Sequence, residues 1–336
     1  MSANAGQAVH GGVDASGPVP HDFSTNSNAC GPCPAALAAV RAADASRYPD
    51  PQSTALRTRL ASFHGVAASR IVVAASGSEF IARVTAAVAQ SGGRTVAVPT
   101  HSYGDYAHAA SAWQLHLIRD DGAAGTADLV WCCDPSSPLG QTPPALGARI
   151  DAWSGEGARV LDMAYAPLRL EGRPALDAGQ RDRLWQLWTP NKALGLTGVR
   201  AAYAIAPAND VAAALQQRLE ALAPSWPLGA HGAALLEAWV SAEVQAWLAE
   251  SLVTLRVWKA AQRACLGAMP GWHLLASDAN FFCARVEQPL DTLLPALRAR
   301  GIKLRDCASF GLPGHVRMAV MPPASQQALA DVMRRG

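Results

Sequence analysis

Apolar residues in this chain cluster in short continuous runs separated by longer amphipathic stretches. The runs at 70–75, 95–99, 129–133, 159–163, 184–188 and 201–206 are bounded by turn residues, and the spacing predicts strands buried on both faces. Between them, 35–45, 52–64 and 78–90 carry helical periodicity. That alternation predicts an α/β domain whose mainly parallel sheet is covered by helices on both sides. From about Val211 the pattern turns helical. The stretch 233–255 is apolar but interrupted by Glu237, Glu243 and Glu250, which suits an amphipathic helix better than a membrane span. Strand patterns return at 280–286, 303–306 and 315–320, giving a smaller α+β unit. The expected division is an N-terminal arm at 1–34, a large domain at 35–230 and a small domain at 231–336. Within the arm, the Pro/Gly-rich residues 11–20 read as a loop or as a segment that orders on binding.

Composition narrows the partners more than the chemistry. With 336 residues, half of them apolar and ten of them tryptophan, the chain can bury a large core in two domains. A net charge of +2 without a basic run gives no reason to invoke nucleic acid or an anionic membrane surface. The N-terminus lacks the basic and apolar regions of a signal peptide, so a cytoplasmic location is expected. Seven cysteines, an odd number, fit a reducing compartment rather than a disulfide framework. Cys30-Gly31-Pro32-Cys33 has thioredoxin-type dithiol spacing, yet a polar, turn-rich segment precedes it where a strand would be needed. It could equally be half of a zinc site, but no second close pair supports it, so no metal is expected.

The chemistry concentrates around Lys192, in Trp-Thr-Pro-Asn-Lys-Ala-Leu-Gly-Leu-Thr-Gly-Val-Arg (188–200). A lone lysine is usually solvated. One that follows an apolar run and precedes a glycine-punctuated turn can instead condense with an aldehyde cofactor, with nearby hydroxyls and Arg200 holding that cofactor's phosphate. Asp162-Met163-Ala164-Tyr165 follows a strand-like run. Together the two segments resemble the lysine and Asp-x-Ala-Tyr motifs of fold-type I pyridoxal-phosphate enzymes. The resemblance implies that Lys192 bonds the cofactor, that Asp162 pairs with its ring nitrogen, and that Tyr165 bonds its ring hydroxyl.

Further segments extend that resemblance over most of the chain. Ser76-Gly77-Ser78-Glu79 joins a strand to a helix and has capping-box spacing, so a well-capped helix alone would explain it. The family likeness makes it a phosphate cup of Gly77 and Ser78, completed by Thr189 and Arg200. Residues 99–106 resemble the family's aromatic segment, implying that Tyr106, or failing it Tyr103, stacks on the cofactor ring. Arg47-Tyr48-Pro49-Asp50 resembles the segment whose tyrosine reaches the neighbouring subunit's phosphate, implying a homodimer with shared active sites. The strand 314–320 resembles the one carrying the carboxylate-binding arginine, here Arg317. One departure is Asp134-Pro135-Ser136-Ser137-Pro138-Leu139-Gly140, which places Ser137 where the family has an asparagine that bonds the ring hydroxyl.

The two ends of the chain choose within the family. His10-Gly11-Gly12, residues 22–28, and Leu304 to His315 are similar to the L-threonine-O-3-phosphate decarboxylases of cobalamin biosynthesis. That likeness implies that His10, Asn26 and Arg305 line the substrate pocket with Arg317. It also implies that the reaction is decarboxylation of threonine phosphate to 1-amino-2-propanol O-2-phosphate. Histidinol-phosphate-type transamination is the second reading, since the substrate bond held perpendicular to the cofactor ring decides between losing CO2 and losing a proton, and sequence does not set that orientation. A non-enzymatic cofactor-binding or redox protein is the third.

Overall fold

The computed structural model describes residues 10–119, 126–153 and 156–335; the first nine residues of the expected arm lie outside them. A seven-stranded sheet forms the large domain. Its spatial order is Ile71–Ala74, Ala202–Ile205, Trp185–Trp188, Ala158–Asp162, Leu129–Cys133, Thr95–Val98 and His116–Arg119. All neighbours are parallel except around Ala202–Ile205, which runs antiparallel to both of its own. The exception has a local cause. A parallel return needs a crossover helix, whereas 189–201 form a loop that brings the chain straight back from the same edge. Lys192 lies in that loop, at the end of the sheet where the parallel strands finish. The fold is α/β, with a mainly parallel central sheet, as the alternation of elements predicts.

Helices Gly77–Gln90, Gly104–Ala112 and Asp210–Ala221 cover one face over a core that includes Phe80, Val84, Trp131 and Trp185. Among the described residues, the antiparallel sheet of the C-terminal unit runs in the order Arg305–Asp306, His315–Ala319, Phe281–Val286 and Trp272–Leu274. The chain's beginning is stitched to it: His21–Asp22 pairs with Ile302–Lys303, and Ala319 N–H donates to the Phe23 carbonyl.

Several elements differ from expectation. The apolar stretch 233–255 belongs to two helices, Ala230–Trp239 and Ala242–Gly267, because Ser241 breaks the first and caps the second by accepting from Val244 N–H. The strand His116–Arg119 was not anticipated, since an edge strand with charged ends carries little apolar signal. The Cys30/Cys33 pair does not have the makings of a redox dithiol. Cys33 is fully buried, and burial pushes the Cys30 thiol up instead of activating it. Among the described residues there is no cluster of three or more metal-ligating side chains, and no helix is long and apolar enough to cross a membrane.

A buried polar network on the other face of the sheet yields a stability prediction. His64 Nε2 lies 2.7 Å from the Tyr203 hydroxyl, which accepts from Trp239 Nε1 at 3.0 Å and so donates to a neutral imidazole. Burial lowers the His64 pKa to about 4. A histidine whose folded pKa is depressed contributes stability above its unfolded value of about 6.5, and that contribution, on the order of 3 kcal/mol, is lost as pH falls towards 4. His64→Gln keeps an acceptor but cannot ionise. Its melting temperature is therefore expected to fall less than that of the wild type between pH 7 and pH 4.5, and equal losses in the two proteins would refute the assignment.

Candidate active site

Where the parallel strands end, loops from the sheet, the arm and the small domain enclose a cavity of about 330 Å³. Twelve of the fourteen expected site residues line it. From the sheet come Asp162, which ends its strand, Tyr165, Ser137, Thr189, Lys192 and Arg200. Gly77 and Ser78 begin a helix, His10 and Asn26 belong to the arm, and Arg305 and Arg317 stand opposite each other on paired strands. This is the position open α/β sheets give to ligands, outside the carboxyl ends of the strands.

The first turn of helix Gly77–Gln90 is prepared for an anion. Ser76 caps it by accepting from Glu79 N–H at 3.0 Å, while the Glu79 carboxylate reaches back to Ala75 N–H at 3.1 Å. The caps leave the Gly77 and Ser78 N–H groups at the cavity, with the positive end of the helix dipole behind them. A Cβ on Gly77 would stand 2.8 Å from Thr189 Cγ2, so glycine is what lets the helix end close on the lysine loop. The Lys192 backbone is held from the arm: its carbonyl accepts from Asn28 N–H at 2.9 Å, and the Asn28 amide donates to Ala193 O and Ser251 Oγ. Lys192 Nζ makes a long hydrogen bond of 3.4 Å to Thr189 Oγ1 and lies 5.4 Å from the centre of the Tyr165 ring.

Asp162 is the buried charge of the site. Burial raises its pKa, against the opposing influences of the Tyr106 hydroxyl, which donates to Oδ2 at 2.6 Å, of Lys192, and of Ala164 N–H, which donates to Oδ1 at 2.8 Å. The Arg317 guanidinium is also buried. Its Nη2 donates to the Ser24 carbonyl at 3.3 Å, while its Nε has no hydrogen-bond partner among the described residues. Burial, and secondarily the charge of Arg317, lowers the pKa of Arg305.

Two expected residues are elsewhere. Tyr106 does not face the cavity: it is buried one layer behind, stacked on Trp131 at 4.3 Å with its hydroxyl on Asp162, so it supports the carboxylate and cannot stack on a ligand. Tyr103, the fallback, lines the cavity and puts its hydroxyl 3.4 Å from Ser78 Oγ. The alternation of helix phase explains the exchange, since Tyr103 precedes helix Gly104–Ala112 as its N-cap and Tyr106 lies inside the first turn. Tyr48 is 78% exposed, stacked on Trp226, and lines no part of its own chain's cavity.

Sequence reasoning also missed residues. Gly11 and Phe310 form part of the wall. Arg169 bridges Asp134 and Asp278, tying the loop that carries Ser137 to the small domain. A lone phenylalanine or arginine in a loop has no periodicity from which either role could be read.

The chain matches the family model described as aminotransferase class I and II over residues 20–333. It is 27% identical to the histidinol-phosphate aminotransferase of Symbiobacterium thermophilum, covering 94% of this chain and 90% of that protein. Further relatives bear the same name. The crystal structure of histidinol-phosphate aminotransferase from Sinorhizobium meliloti with pyridoxal-5'-phosphate superposes with a TM-score of 0.80 at 21% identity, over 95% of this chain and 92% of that one. L-Threonine-O-3-phosphate decarboxylase from Porphyromonas gingivalis superposes with a TM-score of 0.73 at 20% identity, over 89% and 91%. These matches correct the expected activity. The relatives found by sequence are named as aminotransferases of histidinol phosphate, and the decarboxylase is a likeness of fold alone, so threonine-phosphate decarboxylation is set aside. Motifs at the two chain ends misled because a histidine, an asparagine and arginines suit any anionic substrate and do not say which bond is broken. A family match reaching from residue 20 to residue 333 leaves almost nothing of the fold outside it, and the chain belongs to the aminotransferase class I and II family as a pyridoxal-phosphate-dependent enzyme.

Proposed function

We propose that this enzyme transfers an amino group from a phosphorylated amine of the histidinol-phosphate class to a 2-oxo acid. The observation that carries the reading is the shared name of the relatives that cover nearly the whole chain. The residues fit the cofactor. Asp162 is a desolvated carboxylate that a cationic ring nitrogen would stabilise, and the Gly77–Ser78 turn with Thr189 and Arg200 offers donors for a phosphate. Ser137 and Tyr165 remain for the ring hydroxyl, and Tyr103 for the ring face. When bound, pyridoxal phosphate supplies an electron-withdrawing ring next to the substrate carbon that loses its proton.

The chain's own residues do the rest. Lys192, whose one hydrogen bond among the described residues is long, has an amine placed to carry a proton to and from that carbon. Arg317 and Arg305 face the substrate end, where a phosphate in one half-reaction and carboxylates in the other need charged donors. His10 and Asn26 close the same end from the arm; Asn26 Nδ2 donates to the Tyr165 hydroxyl at 3.4 Å. The assembly belongs to the same reading: a homodimer in which exposed Tyr48 serves the partner subunit's site.

Holoenzyme supplied with histidinol phosphate and 2-oxoglutarate is expected to form glutamate. Release of CO2 from threonine phosphate without any amino acceptor, with no glutamate formed, would overturn the reading. Arg317→Lys is expected to lower kcat/KM for both half-reactions by about tenfold to a hundredfold, because a point charge replaces a bidentate fork in a charge-assisted contact. Steady-state kinetics on each substrate checks it.

A further inference from the structure

Arg305 and Arg317 occupy paired positions on adjacent strands, so two guanidinium groups share one wall of the cavity and repel each other. They share one aromatic ring, Phe310, although Arg317 also lies 5.5 Å from the centre of the Phe281 ring. The Phe310 ring centroid lies 4.8 Å from Arg305 Cζ and 5.4 Å from Arg317 Cζ, within the range of about 6 Å over which a ring face stabilises a cation. Phe310 is itself buried and faces the cavity.

The ring's backbone is fixed from both sides. It ends the turn Ala308–Phe310, and Gly311 follows at a φ of 77°, a left-handed conformation that favours glycine. Arg305 Nη2 donates to Ser309 Oγ at 2.7 Å, wrapping the turn around the arginine. On the opposite side His101 Nδ1 donates to the Phe310 carbonyl at 2.9 Å. His101 belongs to the loop after Thr95–Val98, which also carries Tyr103, so the contact joins the two walls of the cavity.

We propose that Phe310 is a specificity-determining positioning residue: its ring, held in place by His101, sets the two guanidinium groups as a paired receptor for a dianionic group, a phosphate monoester or a dicarboxylate. This rests on the reading that Arg305 and Arg317 receive substrate anions. Without the ring, like charges and the rotamer freedom of two long side chains drive the forks apart. A monoanion needs one fork only and is less affected than a dianion.

The test uses holoenzyme and inert anions, glutarate and inorganic phosphate as dianions and butyrate as the monoanion, with binding read by calorimetry. Phe310→Leu is expected to weaken both dianions roughly tenfold and butyrate by less than about twofold. Phe310→Tyr, which keeps the ring, is expected to bind like the wild type. His101→Asn, whose amide can still donate, should retain affinity, whereas His101→Leu should reproduce the Phe310→Leu loss. Wild-type glutarate affinity in Phe310→Leu, or equal losses for glutarate and butyrate, would overturn the proposal. Since none of these anions is turned over, the result holds apart from whether histidinol phosphate proves to be the substrate.

Discussion

Lys192→Ala is expected to lower turnover by at least about a thousandfold, because on the proposed function it removes both the group that bonds the cofactor and the base that moves the substrate proton. The fold should survive. The side chain makes a long hydrogen bond to Thr189 Oγ1 and a distant approach to the Tyr165 ring, and the bond that holds this loop comes from the Lys192 carbonyl, which alanine keeps. Melting temperatures of the two proteins without cofactor are therefore expected to agree within a few degrees. Borohydride treatment followed by peptide mapping should find the cofactor attached at residue 192 in the wild type and at no residue in the variant. A small primary amine added to the variant should restore part of the activity, since the space left by the side chain opens on the cavity. Attachment at another lysine, or turnover surviving in the variant, would remove Lys192 from the mechanism.

How much of this was legible beforehand depended on whether a residue's role is local. Asp162, Gly77 and Lys192 follow buried strands at the end where parallel strands finish, so a run of apolar residues followed by a turn located them without knowledge of the tertiary fold. The strand Ala202–Ile205 was found by the same signal, but its reversed direction depends on the loop before it and was not visible as a pattern. Tyr103 and Tyr106 show the limit. Both sit at the start of one helix, and which one faces the cavity is fixed by packing of the second against Trp131, a residue on a different strand. The same applies to Phe310, whose position between two arginines depends on pairing of Arg305 with Arg317 across strands. Substrate choice was the least legible, because arginines and a histidine at a pocket mouth state that an anion is bound and leave the rest of the molecule open.

Asp162→Asn is expected to lower turnover by on the order of a hundredfold to a thousandfold, the cost of removing one fixed charge from a water-excluded site. Its effect on the cofactor-free protein should have the opposite sign. Burial raises the Asp162 pKa, so between the unfolded value of about 3.9 and that raised value the folded state binds more protons than the unfolded state. Stability contributed by this group is thus complete below the unfolded pKa and is lost as pH rises through the folded one. The asparagine has no charge to desolvate; its oxygen can accept from Ala164 N–H and its amide can donate to the Tyr106 hydroxyl. Cofactor-free Asp162→Asn is expected to be at least as stable as the wild type at pH 7 and to lack the wild type's decline between pH 4 and neutrality, measured by urea denaturation across that range. On the proposed function, bound cofactor sets a cationic ring nitrogen beside the buried carboxylate, so it should raise the wild-type melting temperature more than that of the variant. Near-normal turnover, or pH profiles that coincide in the cofactor-free proteins, would show that the carboxylate is structural and that the charge partner of the ring lies elsewhere in the cavity.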